Sequence, residues 1–153
     1  MIINLIRTAA KRWNIFRKST FFYGLIFFSK RKIGSVGGLN ETILWEGHHY
    51  VSWDYEDGNP NKTFSLIPLD AFNSIIAGST LSIYYSVEPE ADYHQIRTTT
   101  VAWNDLPGTS VVEFQEDGML EVVLTQEALD KIKAEGGFLC VGHGYYVDRV
   151  SVK

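Results

Sequence analysis

The chain has 153 residues, one domain's worth, and is 45% apolar, enough to close a core. Its formal charge of −4 conceals a split: residues 1–40 carry eight Lys and Arg and no acid, whereas residues 41–153 set six basic residues against eighteen acidic ones, a balance of −12. That acidic majority argues against a nucleic-acid partner, which needs a basic footprint, and the single Cys140 excludes an intrachain disulfide and a cysteine-based zinc site.

The first forty residues read as an extension that does not share the later core. Residues 21–28, FFYGLIFF, are apolar and lie between Arg17-Lys18 and Lys30-Arg31-Lys32. Eight to ten apolar residues fall well short of the roughly twenty needed to span a bilayer as a helix. The segment reads as a signal-like or membrane-surface arm, or as a non-native start, with Gly34, Gly37 and Gly38 marking the boundary.

From residue 41 onward, turn signals recur at short spacing: Gly47, Asp57 to Asn61, Gly78, Pro89, Leu106-Pro107-Gly108, Asp117-Gly118, Gly136-Gly137, Gly142 and Gly144. Between them lie runs rich in β-branched and aromatic residues. These predict strands near 42–46, 49–54, 62–68, 80–87, 93–101, 110–115, 119–125, 137–142 and 145–152. Residues 68–75 predict a turn or short helix. A second helix is predicted over 125–134, with Thr125 as its N-cap, Glu127 and Asp130 toward the positive end, Lys131 and Lys133 toward the negative end, and Gly136 or Gly137 as the stop. The pattern is that of an all-β domain over 41–153, a sandwich or barrel with one or two short helices.

The order of features is itself a pattern. It opens Thr42-Ile43-Leu44-Trp45-Glu46-Gly47 and continues through Trp53, Ile67-Pro68, Phe72 and Gly78 to Leu81. It then passes Tyr93 to Ile96 and Trp103-Asn104-Asp105-Leu106-Pro107. It closes with Leu124-Thr125, Leu129 and the run from Gly137 to Tyr145. This order resembles the galactose-binding-like β-sandwich modules, similar to carbohydrate-binding modules, that accompany cellulase- or mannanase-type glycoside hydrolases of Bacteroidetes. The resemblance covers nearly all of 41–153 and none of 1–40. It implies an all-β fold, a jelly-roll-like two-sheet antiparallel sandwich, and an extracytoplasmic, non-catalytic, glycan-binding role beside a catalytic domain missing from this chain. The implied partner is a polysaccharide or oligosaccharide.

Sugar recognition needs flat aromatic faces for the C–H side of a pyranose and polar groups for its hydroxyls. As a strand, residues 93–97 put Tyr93, Gln95 and Arg97 on one face and His94, Ile96 and Thr98 on the other, with Ile96 toward the core. An ordinary solvated face, with Arg97 paired to an acid, is the alternative. Trp103 in the following loop and Trp53 before an acidic turn are stacking candidates. Trp45, beside Ile43 and Leu44, serves either the ligand or the core. His143, between two glycines, is expected in an exposed loop beside the binding face. Cys140 reads as a small buried strand residue.

The four histidines, His48, His49, His94 and His143, have no metal-ligand spacing, so no zinc site is expected. Asp54, Glu56, Asp57 and Asn59 form an oxygen-rich loop that admits a structural calcium, although the pattern of an EF-hand is missing. No cofactor is expected otherwise. Catalytic motifs such as G-x-S-x-G or a phosphate loop are absent. The alternatives to glycan binding are an interdomain docking unit and, behind it, a small glycan-active hydrolase. A glycan face should show exposed aromatics with polar neighbours, and a docking patch should be mostly aliphatic.

Overall fold

The computed structural model describes residues 40–153. The extension read over residues 1–40, including Trp13 and excepting Asn40, lies outside the described residues. Among the described residues, seven strands form two antiparallel sheets: β1 (Thr42–Val51), β2 (Thr80–Val87), β3 (Gln95–Thr100), β4 (Val112–Glu113), β5 (Gly118–Val123), β6 (Phe138–His143) and β7 (Tyr145–Val152). The larger sheet runs β1-β7-β2-β5 and the smaller runs β4-β3-β6. The result is an all-β sandwich. Its core contains Phe64, Phe72, Ile83, Ile96, Leu124 and Val150, each with essentially no solvent contact. Each such side chain contributes about 1.5–3 kcal/mol by leaving water. Cys140 is among the buried residues, as expected of a small strand residue.

The two strands expected over 42–46 and 49–54 are one. β1 passes through Gly47 without turning, because a register shift against β7 between Glu46 and His49 absorbs the irregularity as a bulge. Gly47 instead seats an indole: a Cβ there would come 2.6 Å from Trp45 Cζ2. The strand expected over 62–68 reduces to one bridge, Phe64 to Cys140. Pro60 begins a 3-10 turn, Pro60–Lys62, capped by Asn59, whose Oδ1 accepts from the Asn61 amide at 2.9 Å. A proline has no amide to give a ladder, so the chain curls before it can pair. A second 3-10 turn, Leu69–Asn73, fills the expected short helical stretch and buries Phe72.

Helix α1 (Gln126–Ala134) forms where the capping pattern placed it. Thr125 Oγ1 accepts from the Ala128 amide at 3.1 Å, Glu127 sits in the first turn, and Lys131 and Lys133 sit in the last. Ala128, Leu129 and Ile132 are its buried face. Gly136, at φ +89°, ends it in a conformation that side-chain-bearing residues rarely adopt.

Candidate glycan-binding surface

The smaller sheet has two unlike faces. Ile96, Phe138 and Cys140 belong to the core. Alternation therefore places Gln95, Arg97 and Thr99 of β3, with Leu139, Val141 and His143 of β6, on the opposite, outer face, where Thr99, Leu139, Val141 and His143 are buried and Gln95 and Arg97 are partly exposed. The β3–β6 register sets these side by side: Gln95 opposite His143, Arg97 opposite Val141, Thr99 opposite Leu139.

Aromatic groups gather at the Gln95 end. The Tyr93 ring stacks on that of His143, with centroids 4.3 Å apart and planes 19° from parallel. Trp53 Nε1 donates to the Tyr93 hydroxyl at 2.9 Å. The Trp53 amide is tied to the same place, donating to the Gly142 carbonyl at 2.7 Å. His143 is fixed beneath: its Nδ1 lies 2.9 Å from Ser52 Oγ and 3.0 Å from Asp54, and its Nε2 lies 3.3 Å from Asp92. Tyr93 keeps 38% of its surface exposed, so the stack is a half-open platform.

Arg97 sits along the same face with its Nε donating to Asp105. That bond holds the Asp105 carboxyl below the usual carboxylate range. Gln95 is half-buried, and its Oε1 is out of contact with solvent and makes no hydrogen bond. At the far end, β3 turns at Thr100 and returns to pair Thr99 with Asp105. Gln95 and Thr100 are separated by about 17 Å along the strand. Trp103 occupies this turn at φ 63° and is 46% exposed. A bulky residue in the left-handed region is uncommon and marks a place where the chain tolerates strain.

Of the predicted residues, Tyr93, Gln95, Arg97, Trp53 and His143 come together on one face, and Trp103 stands at its opposite end. Tyr93 joins it through its ring contact, since the strand begins two residues later at Gln95. Trp45 does not join them. It packs edge-on against Phe64 at 4.8 Å and leans on the core. The expectation of an exposed, loop-borne His143 is corrected: it ends β6, is only 8% exposed, and serves as the floor under Tyr93. Its burial follows from the glycines on either side, which let the Gln95 and Tyr93 backbones close over it. A Cβ on Gly142 would meet the Gln95 carbonyl oxygen at 1.9 Å, and one on Gly144 the Tyr93 carbonyl oxygen at 2.5 Å.

Sequence reasoning did not find a second aromatic group, on the outer face of the larger sheet. Tyr50 and Tyr146 are direct partners across β1 and β7, with rings 5.1 Å apart. Tyr55 lies 6.1 Å from Tyr50, and His48 stacks flat on Tyr146 at 4.0 Å. The Tyr146 hydroxyl donates to Glu88, which pushes the tyrosine pKa up to about 12 and holds the carboxyl of Glu88 below its ordinary value. The available signal was the outward position of Tyr50 and Tyr146, each next to a core residue, Val51 and Tyr145.

Among the described residues no group of three or more His, Cys, Asp or Glu is arranged to hold a metal ion. In the oxygen-rich loop, Asp57 pairs with Lys62, and Asn59 caps the 3-10 turn. No helix among the described residues is long and apolar enough to cross a membrane. A separate cleft of about 330 Å³ opens between the sheets at the β5 edge, lined by Pro107, Val112, Leu120 and Val122 among others. None of the predicted residues lines it.

No protein-family model matches the chain, and no curated protein does. Among solved structures, the chain is similar to SGBP-B of the Bacteroides ovatus mixed-linkage glucan utilization locus, solved in complex with a mixed-linkage heptasaccharide. The two share 59% sequence identity at a TM-score of 0.71. The match covers 74% of this chain and 28% of that one, so this chain spans little more than a quarter of its neighbour's length.

Proposed function

We propose that this domain is a non-catalytic glycan-binding module that takes a neutral β-glucan, of the mixed-linkage kind, on the outer face of the smaller sheet. The observation that carries the reading is the 59% identity to a protein solved with a mixed-linkage heptasaccharide. The face itself supplies suitable chemistry. The Tyr93–His143 stack with Trp53, and the indole of Trp103, offer ring faces to the C–H side of a pyranose. The half-exposed Arg97 between them offers a guanidinium to its hydroxyls. The acidic surroundings disfavour an anionic polysaccharide. The setting that fits a polysaccharide ligand is extracytoplasmic.

A separate feature favours a second, compatible role. Met119 and Val123 are exposed apolar residues of β5, the edge strand of the larger sheet, and Val123 lines the inter-sheet cleft. Such a patch suits docking of a neighbouring domain in a longer protein.

Titration of the full chain with mixed-linkage β-glucan oligosaccharides by calorimetry tests the function. A dissociation constant in the micromolar to millimolar range is expected, about −4 to −8 kcal/mol. Tyr93→Ala should weaken it, with no reducing sugar released by parent or variant. Absence of heat with every β-glucan, or release of sugar by the pure protein, would overturn the reading.

A further inference from the structure

The rings on the larger sheet are not isolated from the platform on the smaller one. A shallow depression of about 340 Å³ lies between them, and its lining includes Tyr50 from one group and His143 from the other. The remaining lining residues are Glu88, Glu90, Ala91 and Asp92. The charged groups in this lining are therefore carboxylates, which when ionised accept hydrogen bonds and donate none. A ligand that crosses the depression must present donors and carry no negative charge. A neutral polyhydroxylated chain meets both requirements.

On the far side the rings form a continuous array. Tyr55, Tyr50, Tyr146 and His48 follow one another with centroids 6.1, 5.1 and 4.0 Å apart. Tyr55 keeps 38% of its surface exposed, and the His48 side chain is exposed while held by Asp148 at 2.6 Å. No aliphatic side chain belongs to this array, whereas a docking patch for a folded domain would be built largely of them. The exposed apolar residues Met119 and Val123 sit on β5, the edge strand of this sheet, instead.

Resting on the glycan-binding reading above, we propose that the Tyr55–Tyr50–Tyr146–His48 array is a second contact surface for the same neutral glycan, placed so that one chain passes from the Tyr93–His143 stack through the acidic depression onto the larger sheet. The bound chain then wraps the end of the sandwich, and the site is longer than the outer face of either sheet.

The test uses the full chain with mixed-linkage β-glucan oligosaccharides of three to nine glucose units. Parent affinity should keep rising through the longest of these. Tyr55→Ala and His48→Ala should each weaken binding of the longest oligosaccharide roughly fivefold, as loss of one ring contact does. They should leave the trisaccharide unchanged and flatten the dependence on length. Tyr55→Phe, which keeps the ring, should behave as the parent. Melting curves establish that each variant is folded. If Tyr55→Ala and His48→Ala bind every length as the parent does while Tyr93→Ala fails to bind, the array is no contact surface and the glycan-binding reading survives. If the parent binds none of the oligosaccharides, both fall.

Discussion

Replacing Trp103 separates a ligand contact from a structural plug. Its φ of 63° lies in the left-handed region, which costs an L-residue about 1–2 kcal/mol. Glycine removes that cost but brings back about 0.5–1 kcal/mol of unfolded-chain entropy. The indole is 46% exposed, so roughly 100 Å² of it is covered, worth about 2.5 kcal/mol at about 25 cal/mol per Å². Trp103→Ala loses the packing and keeps the strain, and should cost about 2 kcal/mol. Trp103→Gly loses the same packing, relieves the strain, and should be more stable than the alanine variant by about 0.5–1 kcal/mol. A fully buried tryptophan would cost about 3–5 kcal/mol on truncation. Both variants should bind β-glucan at least fivefold more weakly, the value of one ring contact. Urea melts and calorimetric titrations read the two effects separately. A glycine variant no more stable than the alanine one would refute the backbone argument. Parent-like binding by both would refute the contact.

Two further outcomes follow from other features. Gly142→Ala would drive a Cβ to 1.9 Å from the Gln95 carbonyl oxygen at φ +145°, so a loss of about 3 kcal/mol is expected in a urea melt. Because the Gly142 carbonyl holds the Trp53 amide, the folded fraction should also lose glycan affinity. Stability should hold steady above about pH 5 and decline as the pH falls below the carboxylate range. Hydrogen bonds from Ser151, Tyr146, Arg97 and Thr100 depress the carboxyls of Glu41, Glu88, Asp105 and Glu135, respectively, below their ordinary values of 4.5 and 3.8. The unfolded chain therefore takes up protons first as the pH drops, and folding loses these contributions as the pH passes through the lowered values. Melting temperatures at pH 7, 4.5 and 3 should show the fall, and an unchanged value at pH 3 would contradict it.

The alternation of apolar residues made most of this sandwich legible in the sequence. It placed β2 and β7 at their observed ends and set Ile96 inward with Gln95 and Arg97 outward. Helix α1 was legible through its cap, since Thr125, Glu127 and the two lysines each satisfy a local rule that tertiary packing leaves intact. The failures have a common source in glycine and proline. Gly47 reads as a turn but is space for the Trp45 indole, and Pro60 removes an amide from what reads as a strand. His143 between two glycines reads as an exposed loop, although the glycines allow backbone to close over the imidazole. The ring array on the larger sheet was hidden for another reason. It is assembled across β1 and β7, and a cross-strand pair such as Tyr50 with Tyr146 depends on register, which local periodicity does not contain.

The pairing of Arg97 with Asp105 is compatible with a binding role. A guanidinium carries five N–H donors, and the bond to Asp105 uses the one on Nε. The same bond orients the side chain before any ligand arrives. Tyr93 is likewise held in advance by Trp53 and by the His143 ring, and His143 by Ser52 and two carboxylates. Fixing a flexible side chain on binding costs about 0.5–1.5 kcal/mol each. With Arg97, Tyr93 and His143 already in place, that cost has largely been met during folding. A shallow face that gains only a few kcal/mol from stacking and hydroxyl contacts can then retain enough of it to hold a neutral chain.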